Sequence, residues 1–185
     1  MPGTPNATMP NAGTRSATIS VLVDNEAGIL ARVTGLFTGR GYNIDSLTVA
    51  PVEAGGMLSR INVVTSGTPM VIAQIMAQLD RLVQVHRVAD LSEEGPHVAR
   101  EMALVKVIGT GEKRVEALRM ADTFRARVVD TTTGSFVFEI TGSSEKLDAF
   151  IDLMRDLGLA EVSRTGVAAL ARGARVLSSL SHSDR

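Results

Sequence analysis

Ile19-Ser20-Val21-Leu22-Val23-Asp24-Asn25-Glu26-Ala27-Gly28-Ile29-Leu30 passes from one period of apolar side chains into another. Ile19 to Val23 is a short apolar run rich in β-branched residues, the pattern of a buried strand. From Ile29 onward, Ile29, Leu30, Val33, Leu36 and Phe37 fall on one helical stripe, which ends near Gly39 and Gly41. A polar turn, Asp24 to Gly28, joins the two. Further along, Ile44 to Val52 reads as a strand, and Pro51 with Gly55-Gly56 marks a hairpin turn into a return strand, Leu58 to Thr65. A second helix opens after Pro69 with Ile72, Ile75, Met76, Leu79, Leu82 and Val83 at helical spacing, and Val85 to Leu91 closes the unit. The order β-α-β-β-α-β is the ferredoxin-like split βαβ arrangement.

The same order recurs once. Met102 to Ile108 reads as a strand and 112–126 as a helix carrying Val115, Leu118, Ala121 and Phe124. Arg127 to Thr132 and Phe136 to Thr141 form a hairpin around Thr133-Gly134. A helix from Ser144 bears Leu147, Phe150, Ile151 and Met154, and Glu161 to Leu170 supplies the last strand. The expected architecture is α+β, two tandem ferredoxin-like βαββαβ domains over 18–91 and 98–172. They are joined by a linker, 92–97, with a Gly95-Pro96 pair. A Pro-, Gly- and Asn-rich arm, 1–17, reads as disordered, and 173–185 as a frayed tail whose Val176, Leu177 and Leu180 pack locally. A four-stranded sheet with both helices on one face leaves its other face open, and each half is small enough for burial to be marginal. Edge pairing or sheet stacking between two copies answers both, so a homodimer through the first domain is expected.

Composition narrows the function. Each half carries one more carboxylate than cationic side chains, so neither has the basic excess of a nucleic-acid binder. The strands 44–52 and 58–65 also lack the aromatic residues on which RNA-binding versions of this fold stack bases. Cysteine is absent, which removes disulfides, thiol catalysis and Cys-ligated metals. Residues 1–17 contain no signal-peptide run and no stretch approaches a membrane span, so the expectation is a cytoplasmic protein.

Catalytic constellations are missing as well. His86, His97 and His182 are scattered, and neither HExxH nor GxSxG occurs. Gly109-Thr110-Gly111-Glu112-Lys113-Arg114 lacks the phosphate-loop pattern and reads as a strand-to-helix turn. What remains is the turn Asp24 to Gly28. A helix N-terminus offers unpaired N–H groups and partial positive charge to a carboxylate. Gly28 permits close approach, and Asn25 serves either a ligand or the helix as a cap. The residues alone leave a capped turn and a binding site both open.

Val23-Asp24-Asn25-Glu26-Ala27-Gly28-Ile29-Leu30, followed by Arg40-Gly41-Tyr42-Asn43-Ile44-Asp45-Ser46-Leu47-Thr48-Val49, resembles the ACT domain of the small subunit of acetolactate synthase, also called acetohydroxyacid synthase. The resemblance continues through Leu58-Ser59-Arg60, Gln78 to Val85, Arg100 to Val107, Gly142 to Phe150 and Leu170-Ala171-Arg172-Gly173, so that it spans 18–173. It departs from the family only in the arm and the Ser-rich tail.

The resemblance implies a non-catalytic regulatory subunit with no cofactor of its own. Its partner is then a large catalytic subunit carrying thiamine diphosphate, magnesium and FAD, which condenses pyruvate with pyruvate or 2-oxobutyrate in branched-chain amino-acid synthesis. The small subunit raises that activity and transmits feedback inhibition, usually by valine. The effector position implied by match is Asn25, Ala27, Gly28 and Ile29 of one chain with Asn43 and Ile44 of another. A valine-sized zwitterion there needs an anion seat at the helix N-terminus, an ammonium acceptor from Asn25 or Asn43, and an apolar wall from Ile29 and Ile44. Such a site reaches micromolar to millimolar affinity, about −4 to −8 kcal/mol; valine differs from leucine or isoleucine by one methylene, about 1–3 kcal/mol. Two other readings are an ACT-type sensor for a different enzyme or regulator, and a small stand-alone ferredoxin-like enzyme.

Overall fold

A computed structural model describes residues 13–52 and 55–177. Its first half runs β1 (Arg15–Asp24), α1 (Ile29–Thr38), β2 (Ser46–Pro51), β3 (Leu58–Gly67), α2 (Pro69–Leu79) and β4 (Val85–Asp90), in one antiparallel sheet of order β2-β3-β1-β4. Alternate residues of the central strands, Ala17, Ile19, Val21 and Val23 with Ile61 and Val63, are buried with Ile29, Val33 and Phe37 of α1 and Ile72, Ile75 and Leu79 of α2. Thr68 begins α2 by accepting a hydrogen bond from the Val71 N–H, with Pro69 in the first turn.

The second half runs β5 (His97–Ile108), α3 (Gly111–Thr123), β6 (Arg127–Thr131), β7 (Ser135–Gly142), α4 (Ser144–Leu157), β8 (Leu159–Arg164) and β9 (Ala168–Ala171). The order β6-β7-β5-β8 repeats the first sheet, and a tilted aromatic cluster of Phe124, Phe138 and Phe150 fills its core. The 109–114 segment is the expected strand-to-helix turn, with Thr110 at the helix boundary. Both halves are therefore ferredoxin-like.

Several expectations are corrected. Residues 15–17 belong to β1 rather than to an arm: Ala17 is fully buried, and the Arg15 guanidinium is 2.6 Å from Asp90 and 2.9 Å from Glu93. Residues 1–12 lie outside the described residues. The first strand after α1 starts at Ser46, because Asn43 to Asp45 turn the chain, and α2 stops at Leu79, leaving Val83 92% exposed. On α3 Ala121 is buried as expected, but the other buried position is Ala117, and Val115 and Leu118 are exposed, because the small residues let this helix approach α4 closely. The 92–97 segment is a closed turn rather than a loose linker: the Glu93 and Glu94 N–H groups donate to the Asp90 carbonyl, the Ser92 N–H to the Asp90 carboxylate, and His97 already pairs in β5.

The largest departure lies at the C-terminal end. Glu161 to Leu170 is not one strand. The chain bends at Gly166, where φ is +83°, and β9 leaves its own sheet to pair with His97–Arg100 at the start of β5. That two-stranded ribbon lies under the far face of the first sheet. Leu22, Ala89 and Leu91 of that face are buried with Val167, Ala169 and Leu177. Burial is worth about 1.5–3 kcal/mol for each of the larger side chains. The Val167 N–H donates to Ser46 Oγ at 2.8 Å, and Thr48 Oγ1 donates to the Val167 carbonyl at 3.2 Å. The face expected to be open is thus covered in part by the chain's own second half, and sheet stacking no longer argues for a dimer. Leu177 is packed rather than frayed, Val176 is exposed, and Leu180 lies outside the described residues.

Where the ribbon leaves the second sheet, Glu101 and Arg164 form a two-bonded ion pair, at 2.7 and 2.6 Å, with the Ser144 hydroxyl donating to the same carboxylate. Glu101 is 6% exposed. The hydrogen bonds from Arg164 hold its carboxyl below the ordinary range although burial pushes the other way.

Candidate ligand site at the β1–α1 turn

The turn between β1 and α1 is exposed from Asn25 to Gly28. Its base is fixed: the Asp24 N–H donates to the Gln84 carbonyl, the Asn25 N–H to the Met57 carbonyl, and the Asp24 carboxylate meets His86 Nε2 at 2.6 Å. Asn25 is not a helix cap. Its Nδ2 donates to the Gly56 carbonyl at 2.6 Å, and no side chain caps α1. Because a carbonyl only accepts, this bond fixes the amide orientation and leaves Oδ1 without a donor among the described residues.

Gly28 has φ +89°, a conformation that other residues resist, and a Cβ built on it would meet nothing within 4 Å. Space above the helix N-terminus is therefore open. The Arg32 N–H closes the first helical bond to the Gly28 carbonyl, and the Ile29 N–H reaches back to Glu26 at 3.4 Å. No acidic residue occupies the first turn, so the partial positive charge of the N-terminus is uncompensated.

Of the six residues implied by resemblance, the structure brings Asn25, Ala27, Gly28 and Ile29 together in this turn. The Ile29 side chain is only 5% exposed, packed with Val33 and Phe37, so it is not an apolar wall. The apolar side chains that flank the turn at the surface are Met57 and Leu30, the latter expected on the core stripe of α1 but exposed. Spacing held the signal: 29, 33 and 37 step by four into the core, leaving Leu30 outside.

Asn43 and Ile44 lie elsewhere in the chain. Asn43 Nδ2 donates to Asp45 at 2.6 Å, again leaving Oδ1 without a donor among the described residues, and its carbonyl accepts from Thr65 Oγ1 at 2.6 Å. Ile44 packs partly against the first core. Asn25 is anchored to β3 at Met57 and Asn43 at Thr65; eight residues of extended chain separate the anchors by roughly 26 Å. The two groups thus occupy opposite ends of one sheet. Among the described residues, no group of three His, Asp or Glu is arranged to hold a metal ion, and no helix is long and apolar enough to cross a membrane.

Comparison with known proteins identifies the family. Residues 19–87 match the AHAS small subunit-like ACT domain, and residues 100–173 match the family described as small subunit of acetolactate synthase. A probable acetolactate synthase small subunit from Archaeoglobus fulgidus is 46% identical over 156 residues, covering 84% of this chain and 96% of its own. The chain belongs to the acetolactate synthase small-subunit family. The small subunit of acetolactate synthase isozyme 3 from Escherichia coli is 45% identical over 160 residues, 86% of this chain and 97% of its own. The crystal structure of the small subunit from Thermotoga maritima superposes with a TM-score of 0.77 at 37% identity, covering 87% of this chain and 99% of that one. The two family matches meet the two structural halves and leave 88–99 between them, the segment that holds the closed turn and the start of β5.

Proposed function

We propose that this chain is the regulatory subunit of an acetolactate synthase, acting on a separate large subunit that carries thiamine diphosphate, magnesium and FAD. It raises the activity of that subunit and confers feedback inhibition by valine. The observation that carries the reading is the pairing of an uncapped helix N-terminus at Gly28 with the amide oxygen of Asn25, and a second amide oxygen on Asn43 at the far end of the sheet. A valine carboxylate suits the first, and its ammonium suits the amide oxygens.

A separation of roughly 26 Å is too great for one amino acid to bridge, which supports a site shared by two chains. β2 is an outer strand. Pairing two copies of it antiparallel about a two-fold axis sets the Ser46 end of one against the Pro51 end of the other. Asn43 and Ile44, leading into Ser46, then approach the partner's turn, and Leu30 joins Ile44 as apolar wall. The test is reconstitution with the cognate large subunit. Acetolactate formation is expected to rise on addition of this chain and to fall with valine. A large subunit indifferent to the chain would overturn the reading in favour of a sensor for another enzyme.

A further inference from the structure

Between the far face of the first sheet and the C-terminal ribbon lies a cavity of about 340 Å³, on the opposite side of that sheet from α1 and α2 and built from parts of both halves. Arg60 of β3 and Arg87 of β4 flank Leu22 in one row across the sheet, and Arg175 enters from the opposite side. Arg175 is committed: its guanidinium donates to the Glu94 carbonyl and lies 3.7 Å from the Glu94 carboxylate. Arg60 and Arg87 have no acidic partner among the described residues. Arg60 Nε is buried without a hydrogen-bond acceptor, an arrangement that costs free energy until an acceptor arrives. Burial also holds the Arg60 guanidinium below its ordinary pKa. The rest of the wall is aliphatic, chiefly Leu91, Leu170 and Leu177.

We propose that this cavity binds a small aliphatic carboxylate, its oxygens on Arg60 and Arg87 and its chain against the leucines. The lining selects the class. Two guanidiniums without an acidic partner among the described residues ask for an anion, a planar carboxylate matches the guanidinium fork, and an apolar wall rewards a hydrocarbon tail that inorganic anions lack. A free amino acid is disfavoured because its ammonium would enter among arginines. Glu94 faces the same space but is turned to Arg175, so it narrows the anion's place to the Arg60 side.

The test is an NMR titration of the full-length, ¹⁵N-labelled protein at low ionic strength with butyrate, acetate and inorganic phosphate, each with and without valine. Butyrate is expected to shift the Arg60 Nε–H and the amides of Ala89, Leu91 and Leu170 saturably. Each buried methylene is worth about fourfold, so butyrate, with two more than acetate, should bind about fifteenfold tighter. Arg60→Gln should weaken it by roughly ten- to hundredfold. Arg87→Gln changes an exposed side chain, preserves the fold, and should weaken butyrate by a smaller factor; valine should leave the titration unchanged. The proposal is overturned if butyrate gives no saturable shift, if phosphate saturates while butyrate is silent, or if acetate binds as tightly as butyrate. Competition by valine, or unchanged affinity in Arg87→Gln, overturns it equally, and these results stand even where Arg60→Gln fails to fold.

Discussion

Alanine at Asn25 in one population of chains and at Asn43 in another damages the proposed two-chain site from opposite sides. Each change removes one amide oxygen, an acceptor for a charged ammonium worth about 1.5–3 kcal/mol, or roughly ten- to hundredfold in affinity. Either homodimer is therefore nearly empty at a valine concentration close to the wild-type dissociation constant. The anchors of the two residues stand roughly 26 Å apart in one chain, so each site draws one residue from each subunit. In a heterodimer one site carries both changes and the other carries neither. Random exchange makes about half the dimers mixed, so about one-quarter of all sites should return, and about half in purified heterodimers. Calorimetric stoichiometry reads this directly, with thermal melts showing that Asn25→Ala, which also loses its bond to Gly56, remains folded. No recovery in demonstrably mixed dimers would refute the shared site.

Gly28→Asp places a carboxylate where the effector carboxylate should lie, at φ +89°, and is expected to abolish valine inhibition in the reconstituted enzyme while activation persists. Gly166→Val puts a Cβ 2.9 Å from Ser46 Oγ and 3.1 Å from the Leu47 carbonyl at φ +83°, and should cost about 2–4 kcal/mol in urea unfolding; an unchanged midpoint would contradict the crease. The carboxyl of Glu101 is held low in the folded state, so its stabilising contribution is present above the unfolded carboxylate pKa of about 4.3 and is lost as pH falls through the folded value. Arg164→Met should destabilise by about 3 kcal/mol at neutral pH and flatten the acid limb of stability against pH, as followed by thermal melts. A fragment ending near Glu94 exposes Leu22, Ala89 and Leu91 and should aggregate or melt well below the full chain, seen by light scattering and calorimetry.

The first half was legible because its strands and helices have different periods: Ile19 to Val23 against Ile29, Val33 and Phe37. Gly28 was legible for the same reason, standing where the period changes and needing a left-handed conformation. The ribbon was not. Val98 to Arg100 carries no pattern of its own, since only Ala99 is partly buried and that against the other half, and Glu161 to Leu170 looks continuous unless Gly166 is read as a bend. Ala117 was passed over for Val115 and Leu118 because hydrophobicity alone ranks the larger residues inside, whereas close packing of α3 against α4 selects the small ones. At the site, the amide orientations of Asn25 and Asn43 depend on acceptors at Gly56 and Asp45, and the first of these partners is distant in the chain.

β5 runs unbroken from His97 to Ile108, its first four residues in the ribbon and the rest in the second sheet. At about 3.3 Å per residue it is a rod of roughly 40 Å, held near one end by the first half and embedded along the remainder in the second. Such a rod converts angle into distance: a tilt of about 3° where it is clamped carries its free end about 2 Å. A reorientation of the first sheet would therefore need to melt or hinge nothing between the halves. It would swing the second half as a needle is swung by its pivot, with the surface around Ile108 travelling farthest.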